Sequence, residues 1–292
     1  MEKEEQAGTR LSIEQMCELG QVSRAGWYRQ EAGPQPDRDL KLRDEIQKIA
    51  LEWPAYGSRR ITAELGRRKW TVNRKRVQRL MREDNLLCLR KRKFVVTTDS
   101  DHPLRVYPNL ARQMTLTGVD QLWRADITYV RLEVEFVYLA VILDAYSRRV
   151  IGWDLDSTLE DSLTLAALRM ALARRTVTPE LVHHSDRGVQ YASGDYTQLL
   201  KDHHIQISMS RKANPWDNAA CESFMKTLKC EEVYRTEYRD QADARLRMGE
   251  FIEHIYNEKR LHSALDYRPP AEFERDLLTA QKKEAAARRL IA

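Results

Sequence analysis

The chain has 292 residues, 42% hydrophobic and 32% charged, with a formal net charge of +5. No stretch approaches the roughly 18 consecutive apolar residues of a membrane span, and the polar start MEKEEQAGTR lacks the apolar centre of a secretory signal, so a soluble, intracellular protein is expected. The four cysteines, Cys17, Cys88, Cys221 and Cys230, form no CxxC pair, which excludes a dense disulfide framework, argues against structural zinc and leaves them as free thiols.

Residues 1–36 open with LSIEQMCELGQVSRAGWYRQ, a small helical hairpin, followed by a hinge at Gly33, Pro34 and Pro36. Charge then concentrates. Between Asp37 and Val95 there are 18 Lys or Arg against 8 Asp or Glu, a local balance of +10 that leaves the remainder at −5. A basic module joined to a mildly acidic remainder points to a polyanion, and nucleic acid is the obvious one. Within residues 37–95, Leu40, Ile46, Ile49 and Ala50 give a helical stripe, WPAYGS breaks it, and Ile61 to Leu65 resumes it. Asn73 can cap a helix from Arg74 to Glu83, with Val77, Leu80 and Met81 on one face and Arg74, Lys75, Arg76, Gln78 and Arg79 on the rest. Helix, turn and a cation-rich helix is a layout that reaches phosphates and base edges in a major groove; the plainer reading is a solvated amphipathic helix. The run Arg90 to Lys93 extends the positive surface as a phosphate contact or as a solvated linker.

Residues 96–117, with Pro103 and Pro108 and few apolar clusters, read as a linker. Beyond it the period shortens: Leu122 to Val130, Phe136 to Leu143 and Val150 to Leu155 predict three strands in an antiparallel meander. A helix over Asp161 to Arg175, a strand over Leu181 to His184, a helix over Tyr196 to Lys201 and a strand over Ile205 to Met209 follow, which is an α/β domain with helices on both faces. Asn214 and Pro215 signal the start of a helix running to about Cys230.

Asp126 interrupts LWRADITYV, a strand otherwise of apolar, β-branched and aromatic character, so it is no casual surface charge. Asp186 follows LVHH, at the carboxyl end of a strand, where α/β sheets place ligands. Glu222 shares a helix face with Asn218, Lys226 and Lys229, opposite Ala220, Cys221, Phe224 and Leu228. Three carboxylates brought together repel unless cations separate them, and two divalent ions roughly 3.5–4 Å apart are the usual arrangement for in-line displacement at phosphorus. Oxygen ligands favour Mg²⁺, with Mn²⁺ tolerated. For any one acid alone, helix capping or ion pairing is the simpler role. His183 and His184 beside Asp186 offer a further ligand or base, although strand packing or substrate hydrogen bonding suits them better. Asp144 reads as a turn residue, Cys221 as a small core thiol, and Trp216 as a packing anchor able to stack on a base.

The motifs WRADITY, HSDRGVQYAS and SMSRKANPWDNAACESFMKTLKCE, with 35 residues between Asp186 and Glu222, closely resemble those of the DDE transposases of the insertion sequence three family. The chain looks like that family's second-frame product. The resemblance extends through YGSRRITAEL and VNRKRVQRLMRE, similar to its helix-turn-helix, and through YNEKRLHSALDYRPPAEF, similar to the end of its integrase-like core, covering most of residues 10–275. It implies an RNase H-like five-stranded mixed sheet over residues 118–276, preceded by an all-α helix-turn-helix region; the tail at 277–292, LLTAQKKEAAARRLIA, is expected to be helical from its own helix formers. Asp126, Asp186 and Glu222 would be catalytic and hold two Mg²⁺ ions. Lys229 would approach the DNA end, and Arg59 and Arg60 would join Arg74, Lys75, Arg76 and Arg79 in contacting DNA, with His184 and Asn218 as neighbours of the acids. The implied activity frees a 3′ hydroxyl at an element end and transfers it to target DNA. The implied partners are the terminal inverted repeats, target duplex, further copies of the chain and a first-frame protein, in a bacterial cytoplasm at the nucleoid.

Ala125 stands where that family commonly has Thr, Val189 where it has Ser, and Ala213 where it often has Gly; a positive φ at Ala213 would strain the loop before Glu222. No a/d heptad seam persists over three or four heptads, so the family's first-frame zipper portion is not represented. Two other functions share these features: a DNA-binding regulator without activity, and a nuclease that cuts and never joins.

Overall fold

The computed structural model describes residues 12–31, 39–86, 104–133, 135–211 and 218–291. The hinge at Gly33, Pro34 and Pro36, Cys88, the Arg90 to Lys93 run, and Ala213, Asn214, Pro215 and Trp216 lie outside the described residues. The chain divides into two compact units, Met1–Lys48 and Ile49–Ala292.

The first unit contains the expected hairpin as α1 (Ile13–Leu19) and α2 (Arg24–Glu31), then the start of α3 (Leu40–Glu52). A reciprocal cap begins α1: Ser12 Oγ accepts from the Gln15 N–H at 3.3 Å while the Gln15 side chain accepts from the Ser12 N–H at 2.9 Å.

The second unit holds two further helices before its sheet, α4 (Ser58–Arg67) and α5 (Arg74–Glu83). Asn73 Oδ1 accepts from the Lys75 N–H at 2.8 Å, so the cap stands where the sequence places it. Val77, Leu80 and Met81 are buried, and Arg74, Lys75, Arg76 and Arg79 are exposed. Fastened to the C-terminal part of the same unit, α4 is held by three contacts. The Leu261 N–H donates to Tyr56 Oη at 2.8 Å, Arg60 Nε donates to the Leu261 carbonyl at 3.1 Å, and Arg67 makes a two-pronged pair with Glu272 at 2.9 and 2.7 Å.

The mixed sheet has five strands, β1 (Leu122–Arg131), β2 (Phe136–Asp144), β3 (Val150–Asp156), β4 (Val182–Ser185) and β5 (Gln206–Met209), in the order β3-β2-β1-β4-β5. The first three form the antiparallel meander, and β4 and β5 run parallel to β1. Alternation along β1 and β2 divides the core. Val137, Leu139, Val141 and Leu143 pack with Phe224, Leu228 and Ile252 on one face; Trp123, Ala125, Ala140 and Ile142 pack with Leu163, Leu168 and Tyr196 on the other. On the second face α6 (Asp161–Arg174) approaches so closely that a Cβ at Gly152 would collide with the Ala167 carbonyl, which is why β3 carries glycine there. That face also carries α7 (Val189–Ala192) and α8 (Gly194–Asp202).

The first face carries α9 (Ala219–Leu228), which continues as a π-helical turn over Lys229–Val233, and α10 (Gln241–Glu250), which continues as another over Phe251–Tyr256. The sequence reading ended the first of these helices near Cys230 and anticipated neither α7 nor α10. In α7 one turn is too short for a period, and in α10 the polar QADARLRMGE shows no apolar stripe. The last helix, α11 (Pro270–Ile291), runs unbroken from a first-turn proline through the strong helix formers that follow. Among the described residues no helix is long and apolar enough to cross a membrane.

Candidate active site

Parallel pairing of β1 with β4 matches Leu122, Trp123 and Arg124 to Val182, His183 and His184. Two residues further in the same register, Asp126 stands level with Asp186, directly past the end of β4. Asp186 therefore stands just past the carboxyl end of β4, and Asp126 lies in the middle of β1, where its other neighbour is Val141 of β2. The Ile127 N–H donates to Asp126 Oδ1 at 3.0 Å, and the Gly188 N–H to Asp186 Oδ1 at 2.9 Å. A Cβ at Gly188 would lie 3.0 Å from that same oxygen, so glycine keeps the Asp186 carboxylate uncrowded.

Glu222 arrives from α9, which two side chains dock onto β1 immediately before Asp126. Asn218 Nδ2 donates to the Ala125 carbonyl at 3.1 Å, and Cys221 Sγ donates to the Arg124 carbonyl at 3.3 Å. With Ala220, Cys221, Phe224, Met225 and Leu228 buried, Glu222 in the first helical turn is exposed beside the strand end.

Protein packed around the Asp126 carboxyl pushes its pKa up to about 8; the charge of Asp186 adds to this and Glu222 adds less, while the Ile127 N–H and Lys229 act the other way. Partial burial also raises the Glu222 carboxyl. Asp126 thus feels the charge of both other acids, that of Asp186 more than that of Glu222. Among the described residues, no three His, Cys, Asp or Glu side chains form a ready-made metal cage. The donors fit a hard divalent cation even so: all are carboxylate oxygens, and a carboxyl whose pKa is raised by burial and further by two acidic neighbours is short of positive charge.

The remaining expected residues distribute as follows. Lys229 lies with its Nζ 4.8 Å from the centre of the Tyr129 ring; burial lowers its pKa and Asp126 opposes that. Asn218, expected as a neighbour of the acids, is buried and holds β1 one residue before Asp126. His184 is fully buried, with Nδ1 2.8 Å from Ser208 Oγ and Nε2 3.0 Å from Ser210 Oγ, so both ring nitrogens are engaged with β5 and the residue after it. His183 Nε2 lies 2.9 Å from Tyr196 Oη, and burial takes its pKa down to about 3, which keeps the ring neutral. Strand packing accounts for both histidines. Arg59 is exposed, whereas Arg60 turns toward Leu261 and lies over the Tyr56 ring at 5.5 Å. Asp144 is the expected turn residue and is also fully buried, accepting from the N–H groups of Asp120, Tyr146 and Ser147. Cys17, Cys221 and Cys230 are free thiols.

Sequence reasoning passed over Tyr191. It is buried on α7 with its ring against His183 and Tyr196, and burial, Tyr196, Asp126 and Asp186 all drive its hydroxyl pKa upward. Its only sequence signal is proximity to Asp186 in HSDRGVQYAS. The docking role of Cys221 was equally illegible, because a thiol on an apolar arc carries no sign of the carbonyl it meets.

Residues 117–215 match the Integrase core domain family, residues 203–270 a second family of the same description, and residues 37–94 the HTH-like domain family. The chain is 40% identical to the insertion element IS600 uncharacterized 31 kDa protein of Shigella sonnei, over 88% of this chain and 97% of that one. It is 35% identical to the transposase for insertion sequence element IS904 of Lactococcus lactis, over 85% and 98%, and 35% identical to the transposase InsF for insertion sequence IS3A of Escherichia coli, over 90% and 94%. Among solved structures it is similar to the catalytic core domain of BIV integrase, with 19% identity, a TM-score of 0.42 and coverage of 56% of this chain and 99% of that one. The HTLV-2 integrase catalytic core domain in complex with magnesium gives 14% identity and a TM-score of 0.42, over 53% and 96%. An integrase core of this kind depends on divalent metal. With near full-length identity of 35–40% to these relatives and a five-stranded mixed sheet behind an HTH-like segment, the chain belongs to the IS3 family of insertion-sequence transposases.

Proposed function

We propose that the chain is the catalyst of transposition for an insertion sequence, cleaving DNA at the element's 3′ ends and transferring them to target duplex, with Asp126, Asp186 and Glu222 as the carboxylates at the reacting phosphate. The observation that carries this is the register of β1 against β4, which brings Asp126 level with Asp186, together with the docking of α9 that adds Glu222. In the first step a water oxygen attacks the phosphodiester and the bond to the 3′ oxygen breaks, leaving a 3′ hydroxyl. In the second, that hydroxyl attacks a target phosphodiester, so one bond forms as one breaks. Two Mg²⁺ ions, with Mn²⁺ able to substitute, would be held by the three carboxylates and supply charge for the attacking and leaving oxygens. The chain's own part is positioning: Gly188 and Ile127 orient the two aspartates by their N–H groups, and Lys229 offers a cation beside Asp126 for the DNA end.

In this reading residues 37–95 bind the terminal inverted repeats through Arg74, Lys75, Arg76 and Arg79, with Arg59 beside them, and residues 118–276 perform the chemistry. Copies of the chain assemble on DNA, with a first-frame protein as partner or fusion, in the bacterial cytoplasm at the nucleoid.

The test uses labelled terminal-repeat duplex with Mg²⁺. Wild type is expected to nick and to join, and Glu222→Gln to lose joining by at least about 100-fold with DNA affinity within about twofold, since it removes a ligand and little basic surface. Nicking without joining would instead mark a nuclease, and binding without nicking a regulator.

A further inference from the structure

On α9, Ala219, Ala220, Ser223 and Thr227 lie on the other flank of the buried stripe from Glu222, and they border a separate cavity of about 420 Å³. Four guanidinium groups line it: Arg60 from α4, Arg124 from β1, Arg148 from the turn between β2 and β3, and Arg260 from the segment before α11. Among the described residues no Asp or Glu lines it. Arg260 is engaged with Glu231 at 2.8 and 2.7 Å, which offsets one of the four charges and leaves the lining net positive.

A second observation concerns His262, which is 8% exposed, lines the cavity, and has a buried Nε2 with no hydrogen-bond partner. Burial, Arg260 and Arg60 hold its pKa at about 3, and burial and Arg260 depress Arg60 while Glu231 opposes this, so cations are crowded here with Glu231 paired to Arg260. Ser223 and Ser263 sit exposed at the border, and the Asn218 side chain does not cap the first turn of α9, where Ala219 and Ala220 line the wall.

We propose that this cavity seats a backbone phosphate of duplex DNA, on a strand passing α9 along the flank away from Asp126, Asp186 and Glu222. The proposal rests on the reading that the chain acts on DNA. Arg60 decides for a DNA backbone over a free phosphate: in a helix-turn-helix the first helix crosses the backbone, and here that helix turns its arginine into a cavity whose other walls belong to the catalytic core. A phosphodiester has two free oxygens for the guanidinium forks, and hydroxyls at the border suit the sugar-phosphate on either side. One phosphate would thus tie the DNA-reading helices to the core.

The experiment measures binding of the full chain to a labelled duplex of about 30 base pairs by fluorescence anisotropy, in EDTA, across a range of KCl concentrations. Arg148→Gln is expected to lower the salt slope by about 0.9 and weaken binding several-fold, Arg148→Lys to restore the slope, and Ser223→Glu to weaken binding by about tenfold or more. Circular dichroism melting checks each fold; if Arg148→Gln melts early, Ser223→Glu at its exposed helical position decides alone. Wild-type slope and affinity in Arg148→Gln and Ser223→Glu would overturn the proposal. Pyrophosphate binding to wild type and not to Arg148→Gln, with DNA affinity and salt slope equal in the two, would overturn the DNA assignment in favour of a free-phosphate site. Wild type that fails to bind DNA at all would overturn the functional reading itself, whereas normal slopes alongside joining lost in Glu222→Gln would overturn this site alone.

Discussion

Asp126 shows how a single carboxyl registers its surroundings. Its folded-state pKa, about 8, lies above the ordinary 3.8, so between those values the folded chain holds a proton that the unfolded chain has released. Stability therefore falls as pH rises through that window, and the full cost is present above about 8. Asp126→Asn removes the cost while its side-chain oxygen can still accept from the Ile127 N–H. In EDTA at pH 8.5 it is expected to stabilise the chain by about 2 kcal/mol, or on the order of 5 °C in Tm, with the gain vanishing near pH 4 and shrinking when Mg²⁺ is added. Thermal melts of both proteins across pH check this, and equal Tm values at pH 8.5 would contradict it. That Asp126 mattered was legible from an acid inside an apolar strand. Its perturbation was not, because the main cause is burial by the folded chain, to which the charges of Asp186 and Glu222, remote in sequence, add.

Among the elements, α9 and α5 divide chemistry from binding. The position of α9 depends on Asn218 and Cys221, whose bonds to the Ala125 and Arg124 carbonyls set where Glu222 stands. Asn218→Ala is expected to lower strand transfer by about 10- to 100-fold, since a shift of roughly 1 Å in a catalytic group costs that much, while leaving DNA affinity unchanged. Strand-transfer kinetics at saturating Mg²⁺ beside anisotropy binding test it; lost affinity at normal rate would exclude the positioning role. Arg74→Ala with Arg76→Ala should act in reverse, lowering the salt slope by roughly 1.8 and weakening binding without altering the rate at saturating DNA. An unchanged slope would discard α5 as the DNA-reading helix. The existence of both helices was written in their apolar spacing and in Asn73, and the burial of Val77, Leu80 and Met81 follows from it. The π-helical turns that continue α9 and α10 had no local signal, since no apolar period in either segment marks the change.

Across the second unit, α4 is joined to the segment leading into α11 by Tyr56, Arg60 and Arg67, contacts spanning about 200 residues of sequence. Tyr56 is 2% exposed and accepts from the Leu261 N–H, so Tyr56→Phe leaves a buried donor unsatisfied. The expected loss is about 1–2 kcal/mol in urea unfolding with an unchanged m-value, and a loss below about 0.3 kcal/mol would show that this contact does not fasten α4. By itself, the sequence determined most of the segments that become strands and helices, though neither α7 nor α10, that acids stand within a strand, after a strand and on a helix, and that one stretch is strongly basic, because period, caps and composition are local properties of the chain. Only tertiary structure decided that Asp126 stands level with Asp186, that His184 is committed to Ser208 and Ser210, and that Arg60 faces a cavity shared with Arg124, Arg148 and Arg260. Each of those is set by strand register or helix docking, which sum many weak contacts between residues far apart in the chain and leave no mark on any one stretch of it.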